Sequence, residues 1–380
     1  MSSCFNGGAG WPEPVVRVQA VSDSCGATIP ERYVKAPSER PSSLDGGGGL
    51  NNIPVVDMSM PDGEETARAV AAACREWGFF QAVNHGVRPE LLRRAHAAWR
   101  GFFARPRGGP RGVRQLAGDV RGSHDKWPTS SVPAGGGGLR EATEEYAEEV
   151  VRLCRRVMRL LSRGLGLDDG RLQAAFGGVG GEGACLRVNF YPRCPQPELT
   201  LGVASHSDPG GMTMLLVDDH VRGLQVKNAG HWITVDPVPD AFIVNIGDQI
   251  QVLSNAVYKS VEHRVTVSAA EERLSLAFFY NPRSDLPLAP MPELCGAAGP
   301  PGALPADDLR RVPRAHPAVR PQRQGAAPVS ADGNRHLRRP SRRYCVFFFF
   351  LLSEQSSSLA SYSLCAKKIA YIRMEYNLGQ

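Results

Sequence analysis

The chain has 380 residues, a formal net charge of +6 and 42% hydrophobic residues, which is enough to build a full hydrophobic core. The positive charge is confined to the end of the chain: residues 296–380 hold 13 Lys and Arg against 5 Asp and Glu, whereas the preceding 295 residues hold 31 against 33. A nearly neutral body argues against a basic groove, so we expect no nucleic-acid partner.

The nine cysteines have no paired spacing, which argues against both a disulfide framework and a zinc ribbon. We expect free thiols in a reducing compartment. The first thirty residues lack a secretory signal pattern, and the longest apolar run, 346–352, is far shorter than the roughly 20 residues that cross a bilayer. The sequence therefore predicts a cytoplasmic monomer without a membrane partner, with access to the nucleus left open.

The first 50 residues are rich in Gly, Ser and Pro. Such a composition buries too little apolar surface to offset the entropy of the chain, so we predict a disordered leader over 1–50. Within it, residues 15–19 are compatible with either a short helix or a short strand.

An N-terminal α/β region is predicted over 51–180. It opens with a short strand at 53–57, followed by a helix that Asp62 caps and Gly78 stops. A strand then begins at Phe79, and a second amphipathic helix follows it.

The periodic pattern is interrupted over 104–138, where Arg, Gly and Pro dominate. This aberrant stretch lies inside the N-terminal region. Apolar residues at helical spacing return with Glu141 and predict a long helix that closes at Gly164. A short helix is expected over 169–176.

Short β-rich runs separated by turn residues dominate 181–295, a pattern typical of a barrel or jelly roll. The predicted fold class is mainly β with flanking helices: a double-stranded β-helix of the jelly-roll, cupin-like kind, with an α-rich N-terminal region. For 296–380 we predict an aberrant, disordered tail. The predicted β-rich runs are 185–191, 212–217, 223–227, 231–235, 241–246, 258–267 and 273–280.

A candidate metal site is formed by His206, Asp208 and His263. Residues two apart on an extended segment point to the same side, so His206 and Asp208 can share a face, and a jelly roll brings a later strand beside them. Two imidazoles and one carboxylate with open positions are typical of non-haem Fe(II) oxygenases. An isolated His-x-Asp is more commonly a surface pair; the expected order of His263 and of a following Arg-x-Ser favours the metal interpretation.

Arg273 and Ser275 form a candidate cosubstrate pocket. The guanidinium matches a carboxylate with two parallel hydrogen bonds, and an Arg in so apolar a strand needs a partner. Asn189 and Tyr191, also two apart, are candidate contacts to the same ligand. An ordinary ion pair for Arg273 and core packing for Tyr191 are the alternatives.

In these residues the chain resembles the plant 2-oxoglutarate/Fe(II)-dependent dioxygenases. The resemblance is to the branch of anthocyanidin synthase, flavonol synthase and the jasmonate-induced oxygenases, and the stretches 123–128 and 281–285 favour the jasmonate side. The motifs that carry the resemblance are Trp77–Gly86, Asn189–Pro195, His206–Asp208, Asn245–Asp248, His263 and Arg273–Ser275.

The resemblance implies Fe(II) on the two histidines and Asp208. It implies 2-oxoglutarate and O2 as cosubstrates, with Arg273 and Ser275 as anchors, Tyr191 and Asn189 assisting, and ascorbate as a candidate reductant. Hydroxylation or desaturation of a small plant metabolite follows, with jasmonate expected first and a flavonoid second. Candidate substrate-binding groups are Arg193 and Arg283.

Two stretches depart from the family's pattern. Residues 104–122 lack the Tyr- and Gly-containing segment that lines the family's substrate pocket, and after Cys295 the closing strand and C-terminal helix cannot be found. Both stretches resemble GC-rich coding sequence read in another frame. The alternative to an active enzyme is therefore a catalytically impaired protein of the same fold, encoded by a damaged or unspliced gene.

Overall fold

Two β-sheets and a layer of helices make up the described part of this computed structural model, which covers residues 18–41, 52–104 and 138–295 and the backbone of strands 343–348 and 374–377. The helices are α1 Val18–Ser24, α2 Glu64–Glu76, α3 Pro89–Phe103, α4 Leu139–Gly164, α5 Arg171–Ala175 and α6 Asp248–Leu253. The strands are β1 Val55–Asp57, β2 Phe79–Val83, β3 Gly183–Tyr191, β4 Val203–His206, β5 Met212–Val217, β6 Leu224–Asn228, β7 His231–Thr234, β8 Phe242–Ile246, β9 His263–Val265, β10 Arg273–Asn281, β11 Arg343–Phe348 and β12 Met374–Asn377.

The larger sheet has eight strands in the order β1-β2-β8-β5-β10-β3-β11-β12, and the smaller has four in the order β4-β9-β6-β7. Neighbouring strands in the smaller sheet are antiparallel, as are β2, β8, β5, β10 and β3 in the larger one. A sheet-rich body with flanking helices confirms the predicted jelly-roll class.

The two faces of the larger sheet have different roles, because side chains alternate along a strand. On β10, Leu274, Leu276 and Phe278 point outward and join the core that includes residues of α2, α3 and α4. Arg273 and Ser275 point inward, toward the smaller sheet. A separate apolar cluster that includes Phe79, Tyr191, Val217, Val226 and Val265 fills the space between the sheets. The interior therefore combines an apolar lining with a few polar groups.

The helix α2 starts at Glu64 after Gly63, not after Asp62 as the sequence predicted. Asp62 instead accepts hydrogen bonds from Arg156 and Arg159 of α4, at 2.6 and 2.8 Å. These two arginines come almost a hundred residues later in the chain, so the local capping pattern could not reveal them.

The predicted disordered leader is wrong for residues 18–41, which form α1 and two short 3-10 turns. Three long-range contacts hold this segment against the loop after β3. Ser22 Oγ donates to the Arg193 carbonyl at 2.9 Å, Ile29 N donates to Gln196 Oε1 at 2.9 Å, and Lys35 N donates to the Leu199 carbonyl at 2.8 Å. Composition could not predict this order, because the partners come from the barrel.

Two strands also differ from the prediction of a disordered tail: β11 pairs in parallel with β3, and β12 pairs antiparallel with β11. The rest of 296–380 lies outside the described residues, as do 105–137 of the aberrant stretch. Among the described helices, none combines the length and apolarity that a membrane crossing requires.

Candidate active site

The three candidate metal ligands converge at one end of the barrel. His206 ends β4 and His263 begins β9, and these two residues are direct partners in the antiparallel pair, so their side chains face each other. Asp208 Oδ1 lies 3.6 Å from His206 Nε2 and 3.8 Å from His263 Nε2. One donor atom from each residue lies within 4.8 Å of the others. The structure thus brings together the ligands that the sequence predicts.

The backbone sets the orientation of both imidazoles. His206 Nδ1 lies 2.9 Å from the Ala204 carbonyl, and His263 Nδ1 lies 3.2 Å from the Val261 carbonyl. A carbonyl only accepts hydrogen bonds, so each Nδ1 carries a proton, and each Nε2 is the ring nitrogen on the side of Asp208 that a metal would bind. This arrangement is typical of metal-ligating histidines.

Asp208 is buried and fixed by neutral donors. Its Oδ2 accepts hydrogen bonds from Thr213 Oγ1 at 2.6 Å and from Asn245 Nδ2 at 2.9 Å. Burial would raise the pKa of Asp208, but His206, His263 and Thr213 outweigh that effect and hold the pKa well below its usual range. The carboxylate is therefore ionised at neutral pH, with Oδ1 directed at the histidines.

The two histidines titrate differently. Burial lowers the pKa of His206, but the hydrogen bond and charge of Asp208 raise it by more, so the net shift is upward. His263 is more deeply buried, and that burial lowers its pKa despite the same carboxylate. A neutral imidazole is the form that binds a metal, so His263 is the better prepared ligand.

This donor set fits Fe(II). Two imidazole nitrogens and a carboxylate oxygen, without a thiolate, form the facial arrangement of non-haem iron sites. Within the described residues, His206, Asp208 and His263 are the one group of three or more such side chains with metal-binding geometry. His85, far upstream, instead contacts the Asp240 carbonyl at 2.8 Å through Nε2 and accepts a hydrogen bond from Val87 N through Nδ1.

The predicted cosubstrate group assembles where β10 lies between β3 and β5. Arg273 pairs with Tyr191, and Ser275 pairs with Asn189 and with Val217. Asn189 Nδ2 donates to Ser275 Oγ at 3.3 Å, and the Arg273 guanidinium carbon lies 5.4 Å from the centre of the Tyr191 ring. The four residues named from the sequence therefore form one inward-facing patch.

Two buried polar atoms in this patch lack partners among the described residues: Arg273 Nε and Asn189 Oδ1. Arg273 is only 4% exposed, and burial lowers its pKa. A buried guanidinium nitrogen without a hydrogen-bond partner is costly, and a ligand carboxylate removes that cost. The patch thus fits the distal carboxylate of 2-oxoglutarate.

The sequence also supplies the space that Arg273 needs. A Cβ atom at Gly223 would come within 3.2 Å of Arg273 Cδ and 3.4 Å of its Nε. Glycine at this position lets the β6 end of the smaller sheet approach the guanidinium without displacing it.

Sequence reasoning missed Arg187, which precedes Asn189 by two residues on β3 and faces the same interior. It lies nearer the metal end of the strand, and its positive charge opposes the upward shift in the pKa of His206. The same two-residue alternation that identified Asn189 and Tyr191 could have been extended back to this residue.

The two predicted substrate groups lie elsewhere. Arg193 follows β3 at the Arg273 end of the barrel and lines a cleft of about 500 Å³ with His96 and Arg100. Arg283 follows the other end of β10, where its guanidinium donates to Asp285 at 2.6 Å and its backbone N to the Phe176 carbonyl. In the described structure, no hydrogen bond or ion pair joins either residue to the triad.

Comparison with known proteins agrees with this site. Residues 182–282 match the profile of the 2OG-Fe(II) oxygenase superfamily, and residues 53–108 match the N-terminal profile of a non-haem dioxygenase in morphine synthesis. Jasmonate-induced oxygenase 2 of Arabidopsis thaliana is 48% identical over 326 residues, which cover 77% of this chain and 86% of the relative. The chain belongs to the 2OG-Fe(II) oxygenase superfamily.

Other relatives confirm the predicted branch. Flavonol synthase/flavanone 3-hydroxylase of Arabidopsis thaliana is 40% identical over 317 residues, covering 76% of this chain and 93% of the relative. The crystal structure of JOX2 in complex with 2OG, Fe and JA is similar with a TM-score of 0.66 at 48% identity, covering 77% of this chain and 90% of that one. The superfamily member described here is therefore a 2-oxoglutarate-dependent dioxygenase that uses Fe(II).

Proposed function

We propose that this dioxygenase oxidises jasmonate or a closely similar small carboxylic acid. The observation that carries the proposal is a basic side chain, Arg187, on the inner face of β3 near the candidate iron ligands. A guanidinium there suits a substrate carboxylate and leaves the apolar part of the substrate near the metal. The four jasmonate-induced oxygenases of Arabidopsis thaliana, 45–48% identical to this chain, support the same substrate class.

We further propose the division of labour within the site. His206, Asp208 and His263 hold Fe(II), and Arg273 with Ser275 holds the distal carboxylate of 2-oxoglutarate, with Asn189 and Tyr191 beside them. When bound, Fe(II) with 2-oxoglutarate supplies the O2-dependent oxidising chemistry of the superfamily. The chain itself orients both ligands and keeps water away from the reacting carbon.

Apolar side chains form the wall that faces this carbon. Leu215 and Phe279 lie on the same inner face of the larger sheet as Arg187, because Leu215 pairs with Ala277 and Ala277 pairs with Arg187, while Phe279 follows Ala277 by two residues. Both side chains remain partly exposed in a sheet whose outward face is buried. A substrate with one carboxylate and a hydrocarbon body complements this surface.

The test is a turnover assay with purified chain, Fe(II), ascorbate, 2-oxoglutarate and jasmonate under air, read by mass spectrometry. A product heavier by one oxygen, with matching succinate, is the expected result. Methyl jasmonate, which lacks the free carboxylate, should react at least about tenfold more slowly, and Arg187→Gln should reduce this preference. Equal rates for acid and ester in the unaltered enzyme would contradict the role of Arg187.

A flavanone serves as the competing substrate, since the flavonol synthase/flavanone 3-hydroxylase relative favours that second candidate. Faster oxidation of the flavanone than of jasmonate would overturn the substrate proposal and leave the enzyme class intact. Absence of 2-oxoglutarate consumption with either substrate would favour the catalytically impaired alternative.

We also propose that the enzyme works as a cytoplasmic monomer. The six cysteines whose side chains the structure describes are free thiols, which supports a reducing compartment. Light scattering of the purified chain tests the monomeric state. The position of a fluorescent fusion in plant cells tests the cytoplasmic location.

A further inference from the structure

Asp218 connects a helix outside the barrel to the strand that carries the cosubstrate anchor. It follows β5 directly, and its side chain is only 4% exposed. Oδ2 accepts a hydrogen bond from Leu274 N at 2.6 Å, while Oδ1 lies 2.5 Å from Arg100 Nη2 and 3.1 Å from His96 Nε2. Arg100 and His96 both belong to α3. One carboxylate thus joins α3 to β10.

The backbone group that Asp218 holds lies between the two cosubstrate anchors. Pairing between β5 and β10 starts at Val217 with Ser275, so the N–H of Leu274 lies just beyond the ladder. The side chain of Asp218 supplies the acceptor that another strand residue would otherwise provide. Leu274 is flanked by Arg273 and Ser275, so this bond fixes the backbone from which both anchors project.

The same helix also holds the other flank of Arg273. Arg100 Nη1 donates to Glu272 Oε1 at 3.0 Å, while its Nη2 contacts Asp218. The guanidinium of Arg100 therefore bridges the residue before Arg273 and the carboxylate bound to the residue after it. The charge of Asp218 also acts favourably on the buried cation of Arg273.

We propose that Asp218 is a positioning residue for 2-oxoglutarate, holding the start of β10 so that Arg273 and Ser275 meet the distal carboxylate together. A bidentate guanidinium contact depends on a fixed orientation, so a small rotation of this backbone weakens the ligand without changing its charge. The inference rests on the cosubstrate chemistry of the superfamily and is independent of the jasmonate proposal.

The experiment compares two ligands in Mn(II)-loaded protein without O2, using thermal-shift titrations. One is 2-oxoglutarate; the other is 2-oxobutyrate, which keeps the 2-oxo acid end and lacks the distal carboxylate. Asp218→Ala should weaken 2-oxoglutarate about tenfold, and Asp218→Asn about threefold, because Asn can still accept from Leu274 N. Affinity for 2-oxobutyrate should stay within about twofold in both variants.

The control is Asp219→Asn, which changes the exposed carboxylate next to Asp218 and should alter 2-oxoglutarate affinity by less than about twofold. A merely structural role for Asp218 predicts that both ligands weaken alike, and that result overturns the proposal, as does unchanged 2-oxoglutarate affinity. If Asp218→Ala does not fold, Asp218→Asn provides the test. Weaker binding of 2-oxoglutarate alone supports the proposal, and equal weakening of both ligands or of neither overturns it.

Discussion

His206 and His263 face each other across the β4–β9 pair, with their ring centres 4.3 Å apart. Each ring is turned by a carbonyl two residues earlier on its own chain segment, so neither depends on the other for its orientation. Phe79 closes the side of His263, edge-on at 5.4 Å. The two imidazoles are thus preorganised by backbone and packing contacts, with Asp208 Oδ1 lying 3.6 Å from Nε2 of His206 and 3.8 Å from Nε2 of His263.

Replacement of His263 by alanine should abolish iron binding while the barrel remains folded. The variant removes one of three ligands, so iron affinity should fall by more than about 100-fold. Iron content after anaerobic reconstitution measures the loss of binding, and circular dichroism checks that the barrel is still folded. His231→Ala, which changes an exposed histidine at the start of β7, is the matched control and should keep its iron. Equal iron in the two variants would refute the ligand assignment.

The second prediction concerns the shape of the cosubstrate anchor. Arg273→Lys keeps the positive charge but loses the planar fork, so the dissociation constant of 2-oxoglutarate should rise by about tenfold or more. Anaerobic titration of the Mn(II)-loaded protein provides the measurement. Arg222→Lys makes the same Arg-to-Lys replacement at an exposed ion pair with Asp236 and should leave the dissociation constant unchanged. An unaltered dissociation constant in Arg273→Lys would mean that the ligand carboxylate lies elsewhere.

The catalytic ligands could be predicted from the sequence because their placement follows local rules. His206 and Asp208, like Arg273 and Ser275, are two residues apart, and extended backbone places such pairs on one side. The pairing of the strands then had only to bring these faces together. Within this end of the site, Arg187 was missed although the same alternation includes it, because no motif drew attention to it.

Long-range contacts account for what the sequence could not reveal. Asp218 is one of the turn residues between two β-rich runs, yet its partner Leu274 is 56 residues away and its other partners lie on α3. Residues 18–41 read as disordered, yet they bond to the loop after β3. Neither composition nor periodicity contains such information, since both depend on the tertiary arrangement.

Asp218 should also give the protein a measurable acid sensitivity. Burial would raise the pKa of this carboxyl, but His96, Leu274 N and Arg100 outweigh burial and lower it to about 2 from a usual 3.8. A group with a depressed folded-state pKa stabilises the fold above its unfolded pKa and loses that contribution as the pH falls toward its folded pKa.

The free energy of unfolding of the unaltered chain should therefore drop by about 1 kcal/mol more than that of Asp218→Asn between pH 6 and pH 3. Urea unfolding at a series of pH values measures the difference. Asp219→Asn, which changes the exposed neighbour, should follow the unaltered chain. Parallel pH curves for the unaltered chain and Asp218→Asn would show that the carboxylate gains nothing from its partners.

Gly78, where the chain turns from α2 into β2, should tolerate no side chain. Its φ of +65° is unfavourable for other residues, and a Cβ atom would collide with the Lys259 carbonyl oxygen. Gly78→Ala therefore combines backbone strain with an overpacked contact and should lower the free energy of unfolding by about 3 kcal/mol.

Gly86→Ala is the matched control, because Gly86 also has a positive φ, of +89°, but open space around its Cβ position. Strain alone should cost about 1 kcal/mol there. Equal losses in the two variants would show that the contact with Lys259 does not constrain the turn.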